Sequence, residues 1–179
     1  MKIPSDFEID KYGLYVRFVN ENDAEFILSL RNDTRARFMN TLTSNVEDQK
    51  NWIREYKKRE QGGLDFYFIY YSKGQAVGVN RIYNIKNDSF VGGSFIFRKE
   101  CEFEIPMLAT LIQLYIGFEV LDKSISFGNI RKDNKIAIRF NKLLGCDFIY
   151  DYGDEVFTVL SKKVYLQVKQ KYESLLLKI

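Results

Sequence analysis

Hydrophobic and polar positions alternate along this chain with two periods, and the changes between them mark its elements. "LYVRFV" (Leu14–Val19) alternates with period two and predicts a strand. "NENDAEFILSLRND" then places Ala24, Phe26, Ile27 and Leu30 on one helical face, and Asn22 with Glu25 three residues later suits its start. After a polar passage, "SNVEDQKNWIREYKKREQGG" repeats the device. Ser44 and Glu47 make a capping-box pattern, Trp52, Ile53 and Tyr56 face inward, and Gly62–Gly63 stop the helix. "DFYFIYY", "QAVGVNRIY" and "FVGGSFIF" are β-rich runs joined by "SKG" and "NIKNDS", which predicts an antiparallel meander. Gly92–Gly93 inside the third run marks a bulge or a close approach by another backbone.

The second half changes character. "IPMLATLIQLYIGFEVL" is apolar nearly all round and predicts a buried helix with Pro106 in its first turn. "KSISFGN" is a further strand. Strand, buried helix, strand is a crossover, so the two strands flanking the helix are expected to be parallel. In "DNKIAIRFNKLLG", Asp133 or Asn134 caps a helix, and Ile136, Ala137, Phe140, Leu143 and Leu144 form its apolar stripe. Gly145 can take the left-handed conformation that closes it. "CDFIYDY", a turn at "GDE" and "VFTVL" end the strands, and a helix over roughly Lys162–Leu177 starts at Ser161.

Composition narrows the function. With 179 residues, 46% of them hydrophobic, residues 1–179 are expected to form one domain with a real core. A net charge of +3 spread along the chain gives no case for nucleic acid, and "REYKKRE" reads as a solvated helix face. The chain has no histidine, and Cys101 and Cys146 have no metal-ligand spacing. A zinc site, a Ser-His-Asp triad and a disulfide framework are therefore not expected. No run is long and apolar enough to span a membrane, and the opening "MKIPSDFEIDKYG" lacks the apolar stretch of a signal peptide. The expected location is the cytoplasm.

The element order β-α-α-β-β-β-α-β-α-β-β with a last helix resembles the GNAT superfamily of acyl-CoA-dependent N-acyltransferases. "DNKIAIRFNKLLGCDF" is similar to that family's late motif, in which Asn-x-x-Ala-Ile leads to a helix ending in Lys-Leu-Gly-Phe. "LYVRFVNENDAEFILSLRND" and "GGSFIF" look like the opening and the fourth strand of the branch holding ribosomal-protein alanine and sugar-amine acetyltransferases. The resemblance covers roughly Leu14 to Leu160. It implies an α+β fold: a mixed, mostly antiparallel sheet of about seven strands, with strands four and five parallel and splayed and helices on both faces.

It also implies chemistry. Acetyl-CoA would be the co-substrate, with its pantetheine arm against Phe95, Ile96, Phe97 and Arg98, as a peptide adds to a sheet edge. Asn134 matches the motif asparagine, and Arg131 could help with the phosphates. The family's glycine-rich pyrophosphate loop is replaced here by "RKECEFEIPM", where Glu100, Glu102 and Glu104 oppose an anion and Arg98, Lys99, Arg131 and Lys132 could offset them. Asn141 stands where the family's thiol-protonating tyrosine is found, and Val91 where the branch often has a carboxylate. Substitutes for the acid and base are Tyr83, Asp88, and Glu100 or Glu102. The acceptor side would draw on Arg31, Asn32, Arg35, Arg37, Phe38, Met39, Tyr83 and Asn84, the arginines suiting an anionic part of the substrate. The expected function is N-acetylation of a primary amine on a small molecule, an amino sugar or a nucleotide-linked amino sugar first. The alternatives are a protein N-terminus as acceptor, or a non-catalytic binding module of the same fold. No nucleic-acid or membrane partner is expected, and the chain would act as a monomer or homodimer.

Overall fold

The computed structural model describes residues 3–38 and 45–177, apart from the side chain of Arg35. Its strands are β1 (Glu8–Lys11), β2 (Leu14–Phe18), β3 (Asp65–Ser72), β4 (Gln75–Tyr83), β5 (Ser89–Phe97), β6 (Ile125–Arg131), β7 (Asp147–Tyr152) and β8 (Glu155–Ser161). Its helices are α1 (Ala24–Arg31), α2 (Val46–Gln61), α3 (Ile105–Tyr115), α4 (Lys135–Leu143) and α5 (Lys162–Leu176). The eight strands form one sheet in the order β1-β2-β3-β4-β5-β6-β8-β7, one strand more than the pattern of the sequence predicts. The extra strand is β1. It pairs antiparallel with β2 through a turn at Tyr12 and Gly13, whose φ angles of 58° and 75° match the right-handed twist of a tight hairpin.

β3 explains why so aromatic a segment folds as it does. Phe66, Phe68 and Tyr70 join the core under α3, while Tyr67 and Ile69 join the core under α1 and α2. Each face of the strand thus has its own helix layer, and a run apolar at every position is what such a strand requires. α3 fills the first core and continues as a π turn over Ile116–Val120. Gly117 lies there against the Phe90 ring, and a Cβ on it would stand 2.2 Å from that ring. Asn80, fully buried, is satisfied by the Tyr70 hydroxyl at 2.9 Å and the Ala109 carbonyl at 3.4 Å.

Helix starts fall close to the expected places. The first helix begins through a turn capped by Asn20 rather than Asn22: Asn20 accepts from Asn22 N, and Asp23 accepts from the Asn20 amide, both within 2.9 Å. α2 is capped by Asn45, which accepts from Asp48 N at 2.9 Å; Ser44 lies outside the described residues. Ser161 caps α5 as expected.

β5 and β6 are parallel, as the crossover requires, but only Ser89–Val91 pairs with Ile125–Phe127. Beyond Val91 and Phe127 the strands part. β5 stays bonded to β4 on one side and β6 to β8 on the other. The sheet is therefore split along its middle, and the split is where a ligand can meet backbone.

Candidate active site

A cleft of about 920 Å³ occupies the split. One lip is β5 from Gly92 onward with the residues after it, and the other is β6 from Ser126 to Arg131. Pro106, Thr110, Gln113 and Leu114 of α3 line it, as do Ile136, Ala137, Phe140 and Asn141 of α4. Arg31, Thr34, Arg37 and Phe38, from α1 and the turn after it, line it too.

The β5 lip is shaped by a bulge. Arg81 pairs with Gly93 and Val79 with Ile96, so Ser94 and Phe95 together oppose the single residue Asn80. Gly92 and Gly93 are in register, and the bulge falls just after them at Ser94, whose φ is 50°. The glycines instead admit side chains. A Cβ on Gly92 would lie 3.2 Å from the Gln113 amide, and one on Gly93 would lie 2.9 Å from the Tyr83 ring. A bulge leaves a residue unpaired and re-aims its neighbours, which suits a strand that must present amides to something outside the sheet.

The apolar stripe of α4 packs only in part: Phe140 and the buried Leu144, just past its end, join Met107, Leu111 and Val168, while Ile136 is 81% and Leu143 59% exposed. Ile136, Ala137, Phe140 and Leu144 line the cleft. The Phe140 ring lies 5.8 Å from that of Phe95 on the facing strand. Asn134 caps the helix by accepting from Ala137 N at 3.1 Å, and it lines the cleft as well. Asn141 donates to the Ala137 carbonyl at 2.9 Å and lies 3.5 Å from the Cys146 sulfur. Burial pushes the Cys146 thiol up to about 11, so it is neutral at physiological pH.

The other sequence-derived candidates divide sharply. Phe95, Ile96, Phe97, Arg98 and Arg131 line the cleft, as do Tyr83, Arg31 and Arg37. Asp88 does not. It precedes β5 at the paired end of the split, where its carbonyl accepts from Ser124 and Ile125, and its surroundings form a separate shallow depression. Glu100 is exposed on the turn after β5, and Asn84 is exposed beyond the end of β4; neither lines the cleft. Met39 and the Arg35 side chain lie outside the described residues.

Charge in the cleft is lopsided. Arg31, Arg37, Arg81, Arg98, Lys99 and Arg131 face only Glu102 and Glu155 among its described lining residues. Glu102 is bonded to Lys73 of the β3–β4 turn. Lys132 is taken up by Asp151 at 3.3 Å, and Arg131 is bonded to Asp133 at 3.2 Å. Arg81 is held by Asp65 and stacks over the Tyr83 ring at 5.0 Å. Burial above all holds the Tyr83 phenol above its ordinary value.

The start of α3 departs from an amide cradle for phosphates. The amides of Cys101, Ile105 and Leu108 donate to the carbonyls of Arg98, Glu102 and Glu104 respectively. Residue 106 is proline and has no N–H. Glu102 and Glu104 stand beside the amides of this stretch, and their charges oppose an anion there.

No family model matches the sequence, and no curated protein matches it. Solved structures do. The chain resembles apo FdhC, described as a nucleotide-linked sugar GNAT, with a TM-score of 0.85 and 28% identity over 93% of this chain and 97% of that one. It shares its fold with the ribosomal-protein-S5-alanine acetyltransferase of Vibrio fischeri (TM-score 0.70, 16% identity, 87% and 97% covered). The Campylobacter jejuni N-acetyltransferase PseH is similar at the level of fold too (0.66, 18%, 84% and 99%).

Proposed function

We propose that this chain, a GNAT-type N-acyltransferase, moves an acetyl group from acetyl-CoA to a primary amine on a small anionic molecule. A nucleotide-linked amino sugar is the acceptor class that fits best. The observation that carries the reading is the split between β5 and β6 with arginines at one wall. An unpaired, bulged strand edge suits an extended amide-bearing arm such as pantetheine. Arg31 and Arg37 suit a phosphate-bearing acceptor, because a guanidinium meets phosphate oxygens in pairs, while Arg81, forked onto Asp65, adds positive charge to the same wall. The likeness to a nucleotide-linked sugar GNAT supports the same acceptor class. A basic peptide acceptor is disfavoured by this surplus of cations.

The fit to acetyl-CoA is uneven along its length. The pantetheine arm has its strand edge, and Asn134 and Ala137 stand at the start of α4 to flank it. The pyrophosphate would meet Glu102 and Glu104 at the start of α3 where the family has glycines, so Arg98 and Lys99 would offset them as side-chain cations. Binding that leans on side-chain cations makes donor affinity strongly dependent on salt.

Calorimetric titration with acetyl-CoA, free CoA and dephospho-CoA tests the donor. The expected result is binding on the order of micromolar, about −8 kcal/mol, weakening as salt is raised. Thiol release with a panel of nucleoside-diphosphate amino sugars, free amino sugars and polyamines then tests the acceptor. Turnover favouring the nucleotide-linked sugars is expected. Absence of binding at millimolar acetyl-CoA would remove the transferase reading in favour of a binding module of the same fold.

A further inference from the structure

Transfer of an acyl group to an amine needs a group that accepts a proton from the attacking nitrogen. Two carboxylates line the cleft among the described residues, Glu102 and Glu155. Glu102 is bonded to Lys73. Glu155 is the first residue of β8, directly after the turn at Gly153–Asp154, and it opposes Arg131 in the β6–β8 register. Arg131 bonds Asp133 instead, so Glu155 forms no ion pair among the described residues. Asn129 of β6 donates to its Oε1 at 2.8 Å, which orients the carboxylate and leaves the second oxygen without a protein donor among those residues. Tyr83 of β4 also lines the cleft. Burial raises its phenol, the Arg81 charge opposes this, and the Glu155 and Asp65 charges raise it further. The Glu155 charge acts on Tyr83 of β4 and on Arg131 of β6, and Tyr152 stands opposite it on β7.

We infer that Glu155 is the general base of this cleft, oriented by Asn129. The assignment rests on the amine-acetylation reading above. The acceptor arrives as an ammonium, and its first proton passes to the free oxygen of Glu155. The nitrogen lone pair then forms the N–C bond at the thioester carbonyl. Collapse of the tetrahedral adduct breaks the C–S bond, and that electron pair leaves on sulfur. The second nitrogen proton reaches the thiolate through water, and Glu155 returns its proton to solvent. The products are the amide, the free thiol and one proton. Asn141, where the resemblance places the family's proton-donating tyrosine, carries no proton acidic enough to give a thiolate, which leaves that last transfer to water.

The test is Glu155→Gln, which keeps the shape and the Asn129 contact but not the basicity. Steady-state rates against pH are measured for both substrates, with acetyl-CoA binding followed by calorimetry and folding by thermal melting. Glu155→Gln is expected to lower kcat by about 10²–10⁴-fold near neutral pH, with acetyl-CoA affinity unchanged. The deficit should shrink as pH rises and more acceptor arrives already deprotonated. Glu155→Asp, which keeps the charge at shorter reach, should fall between the two. Asn129→Ala should lower kcat less and keep the wild-type pH profile, as a positioning residue does. An active wild type whose Glu155→Gln variant keeps its kcat, or loses only acceptor KM with an unchanged pH profile, overturns the assignment and leaves the proposed function standing. A wild type that acetylates no amine overturns both.

Discussion

The carboxylate of Asp65 is 2% exposed and accepts from Arg81 at both oxygens and from Arg59 Nε at 3.0 Å. Arg81 lines the cleft, so Asp65 sets the direction of one cation there from a buried position. Truncating it leaves a mostly buried guanidinium without its partner. Asp65→Ala should therefore cost about 3–5 kcal/mol in denaturant unfolding, and acceptor KM should rise more than donor KM. Glu119 gives a second residue-scale expectation. Burial alone would raise its carboxyl, but hydrogen bonds from Lys169 at 2.8 Å and Tyr165 at 2.6 Å, with the Lys169 charge, hold it below its ordinary value. A carboxyl lowered in the folded state adds stability above the ordinary carboxylate range and loses it as pH falls through the lowered value. Glu119→Gln should thus flatten the acid limb of a stability–pH curve, and thermal melts between neutral and strongly acid pH would read it.

At the level of elements, the residue that caps α4 holds two jobs. Asn134 caps the helix and also lines the cleft. Asn134→Ala should cost about 1 kcal/mol of stability and raise the KM for acetyl-CoA. Asn134→Ser restores a capping oxygen without the amide, so it should recover the stability and only part of the donor KM. Recovery of both would mean that the residue acts through the helix alone. The β4–β5 bulge is a comparable device: Ser94 holds a φ of 50° in order to turn one lip of the split. Such a conformation in a non-glycine residue is held by its surroundings at some cost, and it falls where the sheet meets its candidate ligand.

Across the whole molecule, three residue pairs join β5 to β6; on the β1–β5 side the sheet is buried on both faces, and the core reaches past the junction to Leu160 of β8 and Tyr165 of α5. On the other side, every residue of β7 is exposed, Tyr150 and Tyr152 at 60% and 70%. Opening free energy follows burial. Amide exchange should therefore be slowest in β3 and β4, and fastest among the strands in β7. Binding of the donor should slow exchange at β5 beyond Val91 and at the start of α4, because both lips of the cleft would gain a partner. Protection spread evenly over the sheet would contradict a ligand site at the split.

The element order, the antiparallel meander, the parallel crossover and the caps at Asn134 and Ser161 were legible because each has a local cause. Period-two and period-3.6 patterns, turn residues and capping oxygens act over a few positions, and handedness follows from the buried helix between two strands. β1 escaped because four residues beside a Tyr-Gly turn give too short an alternation to stand out. Of the residues expected at the site, Phe95–Arg98, Tyr83, Arg31, Arg37, Arg131, Asn134 and Asn141 line the cleft, whereas Asp88, Glu100 and Asn84 do not, because a place in the chain near a strand end does not say which end of the split it reaches. An amphipathic stripe such as that of α4 looks the same whether it faces a core or a cleft, and only the packing of the sheet decides which. Side-chain partners chosen across the fold were equally hidden. Lys73 and Glu102 are 29 residues apart and Asn129 and Glu155 are 26 apart, so no local pattern pairs them. The sequence by itself determined which elements form and in what order, because those forces are local. The split of the sheet and the charges gathered around it were decided by tertiary structure, because they depend on residues that only the fold brings together.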